Sequence, residues 1–241
     1  MKIFFLSLLL GIPAVQNTHS HKALDHSLEV RFSSNKPGLV ATENLYDQLE
    51  LEQAGLPQSV FSKAFLGFQN LKSNDKLSAR QLLTIIDFDQ SANQDRLWII
   101  DLDNQILLQK TLVAHGRNSG ELYARQFSNH VNSYKSSLGF YITGKTYNGK
   151  HGLSLRLHGM EPGINDQAEA RAIVMHGADY VSKDFIKRNG RLGRSYGCPA
   201  VPKALAPRII SAVAGGTCLF IHHSDREYQS NSTLLRIRTQ G

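Results

Sequence analysis

The sequence predicts a mainly β domain of the α+β class, a mixed sheet folded into a sandwich or partly closed barrel behind a helical lead-in. Three observations carry this. From residue 82 onward the apolar residues fall in short, β-rich runs. Turn signals such as DLDN (101–104) and TYNGK (146–150) separate those runs. Helical patterning is scarce between them, which argues against a doubly wound parallel sheet.

Taken in order, the chain opens on Lys2, the apolar run IFFLSLLLG and Pro13, the pattern of a secretory signal over residues 1–20. The run is far shorter than the ~20 residues of a membrane span. No later segment reads as an integral span, so the expected product is an exported, periplasmic or cell-envelope protein. Residues 21–42 are polar with little periodicity and read as a linker. Residues 43–80 form the lead-in. Leu45, Leu49, Leu56, Val60, Phe61, Ala64, Phe65 and Leu71 suggest two helices broken at Gly55–Pro57 and packed on the main domain. The domain proper is placed at 81–241. Its strands are expected at LLTIIDF (82–88), RLWIIDL (96–102), QILLQKTLVA (105–114), GFYITG (139–144), RAIVMH (171–176), TCLFIHH (217–223) and TLLRIRT (233–239). PKALAPRIISAVA (202–214) is the one clear helix, and GKTYNGKHG (144–152) reads as a hairpin turn.

Composition bounds the function. At 241 residues with 41% hydrophobic content, the chain can bury a real core. The net charge of +7 is spread along the chain without zinc-finger spacing or a basic helix, so nucleic acid is not an expected partner. A basic exported protein instead suits an anionic cell envelope.

The chemistry concentrates in RSYGCP (194–199) and the preceding AIVMHG (172–177). Cys198 stands between Gly197 and Pro199, where a turn can hold a thiol clear of the backbone, and Arg194, Ser195 and Tyr196 make poor core. A free thiol is mostly protonated at neutral pH, and an imidazole on a neighbouring element can take its proton. His176, closing an apolar strand, is the candidate base. His115, His151 and His158 also precede glycines but read as turn or surface residues; His158 is the reserve, because LSLRLH alternates like a strand. A Cys198–Cys218 disulfide would consume the presented thiol, and Cys218 in GTCLFIHH reads as a packed strand residue.

No metal is expected. The ten histidines include no HExxH pair, and His222 and His223, adjacent on a strand, should face opposite sides. The order of a phosphate loop is absent from GKTYNGKHG, and no cofactor is expected.

SSLGFYITG, IVMHG and GRSYGCP, in that order, resemble the L,D-transpeptidase catalytic domain, more closely its murein L,D-transpeptidase branch, from roughly Leu82 to His223. The resemblance implies an L,D-transpeptidase-like fold, peptidoglycan stem peptides as substrate and Cys198 as nucleophile. It implies His176 as base, with the Gly177 carbonyl orienting the second ring nitrogen. Gly197 and Cys198 would offer N–H groups to an oxyanion. Ser195 would brace the turn or touch substrate. Two departures stand out. Tyr196 occupies the place of a second histidine, and CPAV lacks the arginine or asparagine usual two residues after the cysteine. Arg194 is the nearest substitute. The longer His-to-Cys spacing adds a basic loop, KDFIKRNGRLG (183–193), able to grip a peptide or cover the cleft. The same residues would serve an L,D-carboxypeptidase or another peptidoglycan-amide hydrolase. A wall-binding domain that kept the fold without catalysis is the non-enzymatic alternative.

Overall fold

A computed structural model describes residues 37–237. The expected signal segment and residues 21–36 of the expected linker lie outside the described residues. Helix α1 (Pro37–Gln48) begins well before Glu43, so the end of that linker is helical instead. After a turn through Gly55 (φ 69°), helix α2 (Gln58–Lys72) buries Val60, Phe61, Ala64, Phe68 and Leu71 at three- and four-residue spacing, one face against the core. Gly67 lies on that face because a Cβ there would stand 2.0 Å from the Phe140 ring; any side chain would push the helix off the sheet. Trp98 Nε1 donates to the Ala54 carbonyl (2.9 Å), tying the turn between the helices to the sheet.

The strands β1 (Leu82–Asp87), β2 (Leu97–Asp101), β3 (Ile106–Thr111), β4 (Gly139–Gly149), β5 (Gly152–Gly159), β6 (Val174–Ala178), β7 (Ala200–Pro202) and β8 (Cys218–His222) form one 8-stranded sheet in the order β3-β2-β1-β8-β4-β5-β6-β7. It is mixed: β1–β8 and β6–β7 run parallel, the other pairs antiparallel. Beyond β3 the chain continues past β7, and Ala114 exchanges both backbone hydrogen bonds with Ala200 (2.8 and 3.4 Å). The two ends of the order are thereby joined and the sheet is nearly closed, which removes most of its free edge. Phe140 and Phe220 stack inside it at 4.2 Å. The fold is thus mostly β with a few helices. Among the described residues no helix is long and apolar enough to cross a membrane.

Two expected elements differ. Residues 233–237 form no strand: Leu234 and Leu235 pack singly against the core, and the Asn70 amide donates to the carbonyls of Leu234 (2.9 Å) and Arg236 (3.1 Å). The backbone groups that a strand would pair sideways are taken by a helix side chain. The basic segment 183–193 is not an open loop but carries helix α3 (Lys183–Asn189). Ser182 Oγ caps it by accepting from Phe185 N–H, and Gly190 at φ 78° ends it. Helices α4 (Ala206–Val213) and α5 (Arg226–Asn231) complete the chain.

Candidate active site

β6 and β7 build the site. Their parallel register sets His176 opposite Ala200, and Cys198, in the turn two residues earlier, falls beside Val174, whose backbone nitrogen lies 3.5 Å from the sulfur. Both cysteines are free thiols; Cys218 is buried in β8, while Cys198 is half-buried.

The 195–198 turn is internally wired. Ser195 Oγ donates to the Cys198 carbonyl (2.6 Å) and accepts from Gly197 N–H (3.1 Å). Ser195 N–H reaches the His115 carbonyl (3.0 Å), and Ser136 Oγ holds the Gly197 carbonyl (3.0 Å). Gly197 is required by its φ of 121° and by crowding, since a Cβ would meet the Lys135 carbonyl at 2.8 Å. The Gly197 N–H is therefore committed to Ser195 and is not free for an oxyanion, contrary to the sequence expectation.

The sulfur lies 3.5 Å from Val174 N–H and 3.7 Å from the carbonyl of Ala172, a residue in left-handed conformation (φ 52°). No hydrogen bond joins it directly to His176. Burial pushes the thiol up, opposed by the Val174 N–H and by the Arg171 and Lys150 charges. Donation to Ala172 likewise favours the neutral thiol.

His176 is 3% exposed. Its Nδ1 lies 3.0 Å from the Gly177 carbonyl. A carbonyl only accepts, so Nδ1 carries the proton and Nε2 holds the free lone pair. Burial, and secondarily the His151 and Lys150 charges, hold His176 below the usual imidazole range, so it is neutral at pH 7. Gly177 lets the start of α4 approach, as a Cβ there would meet Ala206 Cβ at 2.8 Å.

The other sequence candidates scatter. Arg194 Nη1 is bonded to Glu121 (2.6 Å) and to the carbonyls of Arg117 and Gly120. Tyr196 is 62% exposed, its ring 4.9 Å from Tyr134 and 5.7 Å from the Arg117 guanidinium. His158 lies four residues along β5 from Ser154, the partner of His176, or about 13 Å along the strand. Its neighbour is Glu169 (3.8 Å).

Arg171 and Arg117 escaped the sequence reading, and His151, read there as a turn residue, has a contact it did not anticipate. His151, at the tip of the β4–β5 hairpin, stacks on His176 (centroids 4.4 Å, 22° between planes). An irregularity in register between Thr143 and Thr146 accompanies the departure of the hairpin's outer half into solvent. Arg171 gathers the Ser128 and Lys135 carbonyls and the Ser133 and Ser137 hydroxyls, fixing the 128–137 loop beside the cysteine turn. Arg117 is exposed, and its own N–H donates to the Ser195 carbonyl (2.7 Å). Neither His151 nor Arg171 is local in sequence to the groups it serves.

Residues 52–222 match the family model described as the L,D-transpeptidase catalytic domain. Similar solved structures include an L,D-transpeptidase from Mycobacterium smegmatis (13% identity, 60% of this chain and 59% of that one, TM-score 0.36). L,D-transpeptidase 3 from Mycobacterium tuberculosis is another (10% identity, 60% and 62%, TM-score 0.39). A third is the L,D-transpeptidase from Xylanimonas cellulosilytica (14% identity, 60% and 62%, TM-score 0.34). The chain thus spans about three fifths of each of these structures. No curated protein matches. On the family match, which takes in α2 and every strand, the chain belongs to the L,D-transpeptidase catalytic-domain family.

Proposed function

We propose that the protein is an exported cysteine acyltransferase acting on peptidoglycan stem peptides by L,D-transpeptidation. What supports this reading is a free thiol at Cys198, in the turn just before β7, and an imidazole at His176 on the adjacent parallel strand β6, in a chain of this family. The catalytic unit is residues 81–241, and the lead-in (43–80) buttresses the sheet.

In the resting site the sulfur turns toward Ala172. Rotation about the Cys198 Cα–Cβ bond carries it toward Nε2 of His176, which takes the thiol proton as sulfur attacks the carbonyl before a terminal D-residue. Resting hydrogen bonds of this kind commonly tighten only with substrate bound. The oxyanion is met by the Cys198 N–H. The C–N bond breaks, the departing D-amino acid takes the proton from His176, and a thioester remains. An acceptor amine then attacks the thioester, gives a proton to His176 and restores the thiol. Water in place of the amine yields trimming by the same route.

Arg117, exposed beside the cysteine turn with no carboxylate partner among the described residues, is the group we assign to the substrate's carboxylate in place of Arg194. Tyr196 lies against the same guanidinium.

Incubating purified protein with a defined disaccharide-tetrapeptide and an added D-amino acid should give, by mass spectrometry, a product carrying the new residue. Loss of the terminal residue without incorporation would make the enzyme a carboxypeptidase, and an unchanged substrate would leave a binding domain. His151→Ala should expose His176 and relieve its neighbour's charge, raising its pKa toward the ordinary 6.5. The acid limb of kcat/KM is then expected to move to higher pH. An unmoved limb would show that His151 does not tune the base.

A further inference from the structure

We propose that Asp87, Asp89 and His222 hold a divalent transition cation of the zinc class at the C-terminal end of the β1–β8 pair. The parallel register places Asp87 directly opposite His222, and Asp89 lies just past the end of β1. One ligand atom from each of the three comes within 4.8 Å of the other two, the one such cluster among the described residues.

The burial of this cluster is what calls for a ligand. Asp87 is 1% exposed and His222 3%. Only Nδ1 of the His222 ring lacks a partner; Nε2 pairs with Asp89 Oδ2 at 3.4 Å. His223 approaches the other oxygen of the same carboxylate at 3.3 Å, and its Nδ1 is also unpartnered. The two histidines therefore converge on Asp89. The expectation that they face opposite sides fails because His223 lies beyond the last residue of β8, where strand alternation has ended. These N–O separations exceed the 2.7–3.2 Å of ordinary hydrogen bonds. The His222 Nε2–Asp89 Oδ2 separation equals the edge of a tetrahedral shell, about 3.3–3.5 Å for ligand atoms about 2.0–2.1 Å from zinc, and the other ligand atoms, within 4.8 Å, would close in on the ion.

The carboxylates are otherwise oriented as a second shell would orient them. Asp87 accepts from Asp89 N–H (3.1 Å) and the Gln90 amide (3.0 Å), and Asp89 accepts from the Ser224 N–H (3.0 Å) and hydroxyl (2.9 Å). Arg96 is buried nearby and its charge acts on Asp87, but its guanidinium hydrogen-bonds Gln90, Val113 and His115 and makes no hydrogen bond to Asp87. An imidazole with two carboxylates suits zinc or its neighbours better than calcium or magnesium. Asp89, partly exposed, gives the ion an entry path. In the sheet order β4 and β5 separate β8 from β6, so this is a staple for the sheet rather than part of the Cys198 site.

The test uses the full chain in a Cys198→Ala background, freed of metal with chelator and titrated with Zn²⁺ alone. Bound zinc is counted after gel filtration and melting is followed in parallel. The histidines outside the described residues are present in every variant, so the difference isolates the site. One zinc per chain should be lost in His222→Gln. Melting of the parent should rise by about 5–10 °C with free Zn²⁺ about 100-fold above Kd, and not in the variant. Asp89→Asn, at a more exposed position, should give the same loss if His222→Gln folds poorly. Equal zinc binding and equal melting shifts in the parent and both variants would overturn the proposal, whatever the outcome of the stem-peptide assay.

Discussion

Cys198→Ala is expected to abolish stem-peptide exchange, by about 10⁴-fold or more, while melting within a few degrees of the parent. The magnitude follows from losing a nucleophile for which no neighbour can substitute, as in other acyl transferases whose catalytic unit is broken. Structural tolerance follows from half-burial: the side chain gives up a sulfur whose hydrogen bonds go to Val174 N–H and the Ala172 carbonyl, at the edge of the core. Ser195 and Gly197, which shape the turn, hold it through the Cys198 backbone rather than its side chain. Intact-mass analysis with a carbapenem supplies the second readout. The parent should gain one adduct at Cys198, and Cys218, fully buried in β8, should stay unlabelled. A Cys198→Ala protein that still exchanges stem peptides, or takes the adduct equally, would remove the mechanism. His176→Ala should also lose exchange, yet keep slow labelling at alkaline pH, where hydroxide replaces the imidazole in generating thiolate.

The strands were legible where burial on both faces writes a continuous apolar run: Leu82–Asp87 and Cys218–His222 are buried at every position, and both are strands. They misled where leucines pack one at a time, as at 234 and 235, because a short apolar run records burial and not hydrogen bonding. Helix α3 was hidden by its charge, although Ser182 and Gly190 carried its boundaries in plain sight. Within the site, the cysteine turn and the end of β6 were visible because each is a contiguous signal. His151 was not, since it reaches His176 only through the reach of a hairpin tip. The pairing of Arg194 was hidden because proximity to the turn says nothing about Glu121, a partner more than 70 positions away. Contacts between distant segments decide which of several arginines remains free, and one-dimensional spacing does not record them.

Arg96→Met is expected to cost about 3–5 kcal/mol at neutral pH, the scale of breaking a buried, hydrogen-bonded charge. Arg96 is fully buried, donates to the Gln90 carbonyl (2.7 Å) and twice to the Val113 carbonyl (3.2 and 3.1 Å), and lies over the Phe88 ring (4.8 Å). A methionine fills much of the volume and satisfies none of these acceptors. The gap should depend on pH. Arg96 Nη2 lies 2.8 Å from His115 Nδ1, and guanidinium can only donate, so the imidazole is neutral, with Nε2–H toward the Gly120 carbonyl (3.2 Å). Burial, reinforced by the Arg96 charge, lowers the His115 pKa to about 3 from 6.5. Below 6.5 the unfolded chain binds a proton that the folded chain refuses, so this residue removes about 1.4 kcal/mol of stability per pH unit down to about 3. Without Arg96 the folded imidazole accepts that proton more readily and the slope is shallower. The difference between parent and variant should therefore shrink as pH falls from 7 to 4, measured by urea unfolding at each pH. A difference that stays constant would refute the coupling. Activity should fall with stability, because the His115 carbonyl receives Ser195 N–H and Ala114 is bonded to Ala200: the segment Arg96 anchors is the one on which the cysteine turn is built.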